Sequence, residues 1–148
     1  MKTINKEIIK KSTVTVYVAS DGTEFENAEE CEKYEKSAEG VLYAKYAPKV
    51  VKTIDEETLF GTGNCDSNVE IVRIEKQEDA DLILQILLLE NPYYAKEENK
   101  ERLSEKRQIL EKAIGDYVVI GRGWEMDSFW IYGSRKSIID DFNKNFEF

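Results

Sequence analysis

Thirty carboxylates, eight tyrosines, two cysteines and two tryptophans are the side chains with which this 148-residue chain could do chemistry, and no histidine stands among them. That absence removes the Ser-His-Asp and Cys-His nucleophiles, His-ligated catalytic zinc and any imidazole proton shuttle working near neutral pH. Cys31 falls among the apolar positions of an expected helix and reads as a small buried residue. Cys65 lies in the loop Gly61-Thr62-Gly63-Asn64-Cys65-Asp66, with no neighbouring base to depress its pKa. The same loop has neither the spacing nor the lysine of a phosphate-binding loop. Asp140 and Asp141 are adjacent on an expected helix and point about 100° apart, poor geometry for a shared metal. No metal and no cofactor are expected, and binding is favoured over catalysis.

Three groups of residues have the chemistry of a binding surface. The first is the acidic run Asp21, Glu24, Glu26, Glu29, Glu30, Glu32 and Glu35, opposed only by Lys33 and Lys36. Carboxylates such as Glu29, Glu32 and Glu35, spaced along a helix, can imitate phosphates and occupy the basic pockets of a nucleic-acid-binding partner. The second is the helix start after Gly133. Arg135 and Lys136 stand in its first turn, where the helix dipole disfavours cations. Ser134, free backbone N–H groups, Arg135 and Lys136, with Arg122 nearby, would together hold an anion. The third is the loop Arg122-Gly123-Trp124-Glu125-Met126. Trp124 there is either a partner anchor, a platform for a nucleotide base, or a ring folded back over the sheet.

The elements that must position these groups follow from periodicity. Residues 13–19 alternate β-branched and aromatic side chains, which predicts a strand. Asp21-Gly22 then gives a tight turn into a return strand at 23–25. Asn27 caps a helix carrying Ala28, Cys31, Tyr34 and Ala38, with Glu30 at capping-box spacing and Gly40 as its stop. Residues 41–53 are β-prone but interrupted by Pro48, which predicts an edge strand or two short pieces. Residues 68–74 alternate cleanly as a strand. Residues 76–90 predict a helix whose stretch 82–89 is apolar almost all round, so it should be the central buried helix. Asn91-Pro92 would start another helix, running to Ile114 and closed by Gly115, roughly 34 Å long. Strands at 117–120 and 128–132 precede a final helix with Ile138, Ile139, Phe142 and Phe146 on one side. The fold class is therefore α+β: an antiparallel sheet of five or six strands, helices mainly on one face, and one long helix.

At 17.1 kDa the chain fits a single domain spanning residues 1–148. Its net charge of −9 argues against direct contact with nucleic acid or an anionic membrane. Residues 1–12 are lysine-rich without the apolar stretch of a signal peptide, so the cytoplasm is the expected location. The apolar segment at 82–89 lies beside a polar one at 96–108, which predicts a homodimer through the helix pair 76–114.

The segment Tyr17-Val18-Ala19-Ser20-Asp21-Gly22-Thr23-Glu24-Phe25, continued by Glu29-Glu30-Cys31 and Tyr34-Glu35, resembles a module of small bacteriophage and prophage proteins of Gram-positive hosts. The closing strand, Gly-Ser and helix, from Phe129 to Phe142, is similar in style to the endings of such proteins. The resemblance covers about 20 residues in detail and carries over no functional residues. It implies a phage accessory protein, a class that includes anti-CRISPR and other anti-defence inhibitors. The expected function is a non-enzymatic inhibitor that binds and blocks a host nucleic-acid-handling defence protein, such as a CRISPR effector, through its acidic surface. The alternative is a small-ligand binder that sequesters a nucleotide defence signal through Trp124, Arg122 and Arg135.

Overall fold

The computed structural model describes residues 11–55, 67–123 and 129–147. The chain opens with a two-residue ribbon, β1 (Tyr17–Val18) and β2 (Glu24–Phe25), in which Tyr17 faces Phe25 and Val18 faces Glu24. Only these two residues of the expected strand at 13–19 pair, because the return strand offers no more partners. Gly22 adopts φ +92°, the left-handed conformation that the turn requires. Helix α1 (Ala28–Glu35) follows, and the side chain of Asn27 caps it by accepting the Glu29 N–H.

Gly40 does not stop this helix. It sits in the first turn of a second one, α2 (Ala38–Tyr46), capped by Ser37. A β-carbon at Gly40 would collide with the Tyr34 carbonyl oxygen, so the glycine is where the two helices touch. Residues 41–46 are thus helical rather than extended. Their β-prone Val41, Tyr43 and Tyr46 are overruled by packing, with Tyr43 and Tyr46 buried in the core. Pro48 lies in a 3-10 turn, Ala47–Lys49, and only then does β3 (Val50–Asp55) begin.

The main sheet is antiparallel, ordered β3-β4-β5-β6, with β4 at Ser67–Arg73, β5 at Tyr117–Gly123 and β6 at Phe129–Ser134. With the opening ribbon the described residues form six strands in two sheets, and the fold is α+β. One face carries Val72, Val118, Ile120, Phe129 and Ile131, and three helices cover it. They are α2, α3 (Gln77–Glu90) and α4 (Lys100–Lys112). In α3 the side chains of Ile83, Ile86 and Leu87 have no exposed surface, each burial worth roughly 1.5–3 kcal/mol.

The expected helix at 92–114 is shortened. Two 3-10 turns, Pro92–Ala95 and Glu97–Asn99, precede α4, with Lys96 extended between them (φ −73°, ψ 143°). Asn91 caps nothing, because its side-chain amide instead donates to the Phe129 carbonyl at 2.7 Å. Lys106 donates to the Ile131 carbonyl at 3.2 Å, so side chains occupy two outward-facing carbonyls of edge strand β6. Leu103, Ile109 and Leu110 of α4 pack on the core with α3. Within the chain α3 buries Leu82, Ile83, Leu84, Ile86 and Leu87, while Leu89 and Ile114 stay exposed on the helix pair for which a dimer is expected.

Gly115, at φ +87°, turns the chain into β5. After β6, helix α5 (Arg135–Asn145) closes the described chain, capped by Ser134, whose hydroxyl accepts the Ser137 N–H at 3.1 Å. No described helix is long and apolar enough to cross a membrane.

Candidate functional site

Two surfaces and one cleft gather polar chemistry or uncovered apolar area. The acidic surface belongs to the opening ribbon and α1. Its scaffold is pinned by side chains: Glu35 accepts both the backbone N–H and the hydroxyl of Ser20, at 2.8 and 2.6 Å. These bonds hold the Glu35 carboxyl below its usual range. Tyr34 donates to Asp21 at 2.8 Å, and Asp21 also accepts the Thr23 N–H at 3.0 Å. Burial would raise the Asp21 carboxyl, but these donors more than offset it. Burial and the bond to Asp21 push the Tyr34 phenol up to about 12.

On that scaffold Glu24, Glu26, Glu29, Glu30 and Glu32 are all exposed. Among the described residues Glu32 alone of these has an ion pair, a 3.8 Å contact to Lys36. Cys31 faces inward, and burial followed by the charges of Glu35 and Glu32 pushes its thiol up, away from a reactive thiolate. Of the three helix carboxylates expected to meet a partner, Glu29 and Glu32 are exposed, Glu32 beside Lys36. Glu35 is part of the module's own framework.

The expected anion site is not assembled as drawn from the sequence. Ser134 is spent as the cap of α5. Arg135 pairs with Asp116 at 2.8 Å and lies over the Tyr117 ring at 4.6 Å. Lys136 is exposed beside them. Arg122 is elsewhere: it lies opposite Phe129, whereas Ser134 lies opposite Val118, four residues away along β5 or about 13 Å. It also projects from the face covered by helices, while Tyr117, under Arg135, belongs to the other. Trp124, the Gly61–Asn64 loop and Cys65 lie outside the described residues.

What Arg122 joins instead is a cleft of about 390 Å³ lined by Asp21, Thr23, Tyr43, Tyr46, Thr53 and Glu70 among others. Its guanidinium stacks over Tyr43 at 4.5 Å and reaches Phe129 at 5.6 Å. Tyr43 donates to Glu90 at 2.7 Å and Tyr46 to Glu70 at 2.5 Å. Burial drives both phenols well above their ordinary range. Arg122 opposes this, and the bonds to Glu90 and Glu70 reinforce it. Both hydroxyls therefore stay protonated and serve as fixed donors, not as bases.

The structure places Tyr43, Tyr46, Thr53 and Glu70 in this cleft, none of them singled out by the sequence. The available signal was the pair Tyr43 and Tyr46 at helical i, i+3 spacing, since buried tyrosine hydroxyls need acceptors. Reading 41–53 as β-prone hid that spacing.

The second surface is the outer side of α5. Phe142 and Phe146 stack with ring centroids 4.4 Å apart, yet are 60% and 61% exposed, with Ile138 and Ile139 beside them. Comparison with protein-family models, curated proteins and solved structures gives no match, so function is read from this chain's own residues.

Proposed function

We propose that this chain is a non-enzymatic inhibitor of phage type that binds and blocks a host nucleic-acid-handling defence protein, such as a CRISPR effector, through the acidic side of its opening module. The observation that supports this reading is the pinned ribbon and α1, which hold five exposed glutamates on a scaffold that need not reorganise on binding. The helix axis rises about 4.5 Å from Glu29 to Glu32, against about 3.4 Å per phosphate on one duplex strand. Such a face suits a groove of lysines and arginines, and steers encounter through charge. Arg122 and Arg135 do not converge, so a nucleotide gripped by both is not proposed.

The test is the double variant Glu29→Lys/Glu32→Lys, with Glu35 left in place because Ser20 depends on it. Wild-type protein immobilised in host lysate should retain a nucleic-acid-handling protein and inhibit its activity, with retention falling as salt rises. The double variant should keep its melting temperature and lose binding by about tenfold or more. Equal inhibition by the variant and the wild type would sink the proposal.

A further inference from the structure

The cleft around Arg122 carries a second and independent reading. Glu70 and Arg122 project from adjacent strands on the same face of the sheet, Glu70 opposite Ile120 and Arg122 two residues further along. Diagonal neighbours of this kind have β-carbons about 7–8 Å apart, within reach for an ordinary ion pair. No such pair forms. Glu70 is held by the Tyr46 hydroxyl and Arg122 by the faces of Tyr43 and Phe129. Among the described residues Arg122 has no carboxylate partner.

Two opposite charges are thus held apart by Tyr43 and Tyr46 of α2 and Phe129 of β6. Stacking occupies the face of a guanidinium and leaves the N–H groups on its edge to bind an oxyanion. Thr53, directly opposite Glu70, and Thr23 add hydroxyls to the same cleft. Asp21 and Glu70 together make its wall net negative, which disfavours a multiply charged phosphate. A group with one negative and one positive end satisfies both sides.

We propose that this cleft binds the zwitterionic head of a free α-amino acid, its carboxylate on the guanidinium edge of Arg122 and its ammonium on Glu70. Asp21 reinforces the ammonium end, and Thr23 and Thr53 complete the polar lining. A cleft of about 390 Å³ also leaves room for a side chain beyond the head group.

The test is a nuclear magnetic resonance titration that follows the Nε–H signal of Arg122, with each of the common free L-amino acids as the probe at up to roughly 20 mM. Acetate, methylammonium and inorganic phosphate serve as half-probes. At least one amino acid should move the Arg122 signal saturably, and each half-probe should bind about tenfold more weakly or worse. Followed through the backbone amides of Thr53 and Glu70, Arg122→Lys and Glu70→Gln should each weaken that amino acid by about tenfold while the amide spectrum keeps its folded dispersion. Glu70→Gln retains an acceptor for Tyr46, so the floor of the cleft survives the change. The proposal is overturned by a panel with no saturable shift, by phosphate matching the best amino acid, or by folded variants that bind it as wild type does. The glutamates altered to test inhibitor binding lie outside this cleft, so the two readings fail separately.

Discussion

Asp79 is the buried charge on which the join between α3 and the sheet edge depends, and Asp79→Asn tests that dependence. Its carboxylate is 2% exposed, accepts the backbone N–H groups of Glu75 and Lys76 at 2.9 and 3.2 Å, and pairs with Lys49 at 2.5 Å. It supplies the cap that Lys76, at the N-cap position, has no oxygen to provide. Asparagine keeps the shape and an acceptor but removes the charge. Breaking a buried pair costs about 3–5 kcal/mol. The Lys49 side chain is 26% exposed and regains water, and one amide oxygen still accepts, so the net loss is about 2–3 kcal/mol. For a chain of this size that is about 5–10 °C in melting temperature.

The pH dependence carries a sign. Burial would raise the Asp79 carboxyl, but Lys49 and the two N–H groups hold it below its usual value. A depressed folded pKa contributes stability above the unfolded value near 3.9, and that stability is lost as pH falls through the folded pKa. Urea denaturation of wild type and Asp79→Asn should therefore differ fully at pH 7, with the gap closing below about pH 4. A difference under about 0.5 kcal/mol at pH 7, or one that persists unchanged at pH 3, would refute this account of the join.

Two further outcomes are expected. Gly40→Ala drives a methyl into the Tyr34 carbonyl and separates α1 from α2, at a cost of about 1–3 kcal/mol that thermal melting will read; a change within 0.5 kcal/mol contradicts the contact. Phe142→Ser/Phe146→Ser removes two rings already 60% and 61% exposed, so stability should fall by less than about 1 kcal/mol while binding of a hydrophobic dye drops; a loss near the 3–5 kcal/mol of a core phenylalanine would show that α5 is packed.

Much of the fold was legible because some segments have only one way to be stable. The run from Leu82 to Leu89 is apolar around most of its circumference, and only a helix surrounded by protein satisfies it. The β-branched run Val69, Ile71 and Val72 fits a pleated strand, with Val69 and Ile71 on one face and Val72 on the other, and the Asp21-Gly22 turn needs the glycine that it has. Gly40 was misread because a glycine that stops a helix and one that admits a neighbouring carbonyl look alike in one dimension. Only the position of Tyr34 tells them apart. Lys96 carries no mark of the extended residue that divides the expected long helix.

The acidic face and the cleft differ in legibility for a related reason. Glu29 and Glu32 lie three residues apart on one helix, so their shared exposure follows from local geometry alone. Glu35 follows the same spacing, yet its role is set by Ser20, which only the folded ribbon brings near. The cleft takes Asp21 from a turn, Tyr43 and Tyr46 from α2, Glu70 from β4 and Arg122 from β5. With Thr53 from β3, five separate segments contribute, and no local pattern joins them. What connects them is satisfaction of buried polar groups: each tyrosine hydroxyl takes a carboxylate, and each carboxylate so taken is one that Arg122 does not have. Among the described residues the Arg122 guanidinium is left with the faces of Tyr43 and Phe129 and no carboxylate in an ion pair.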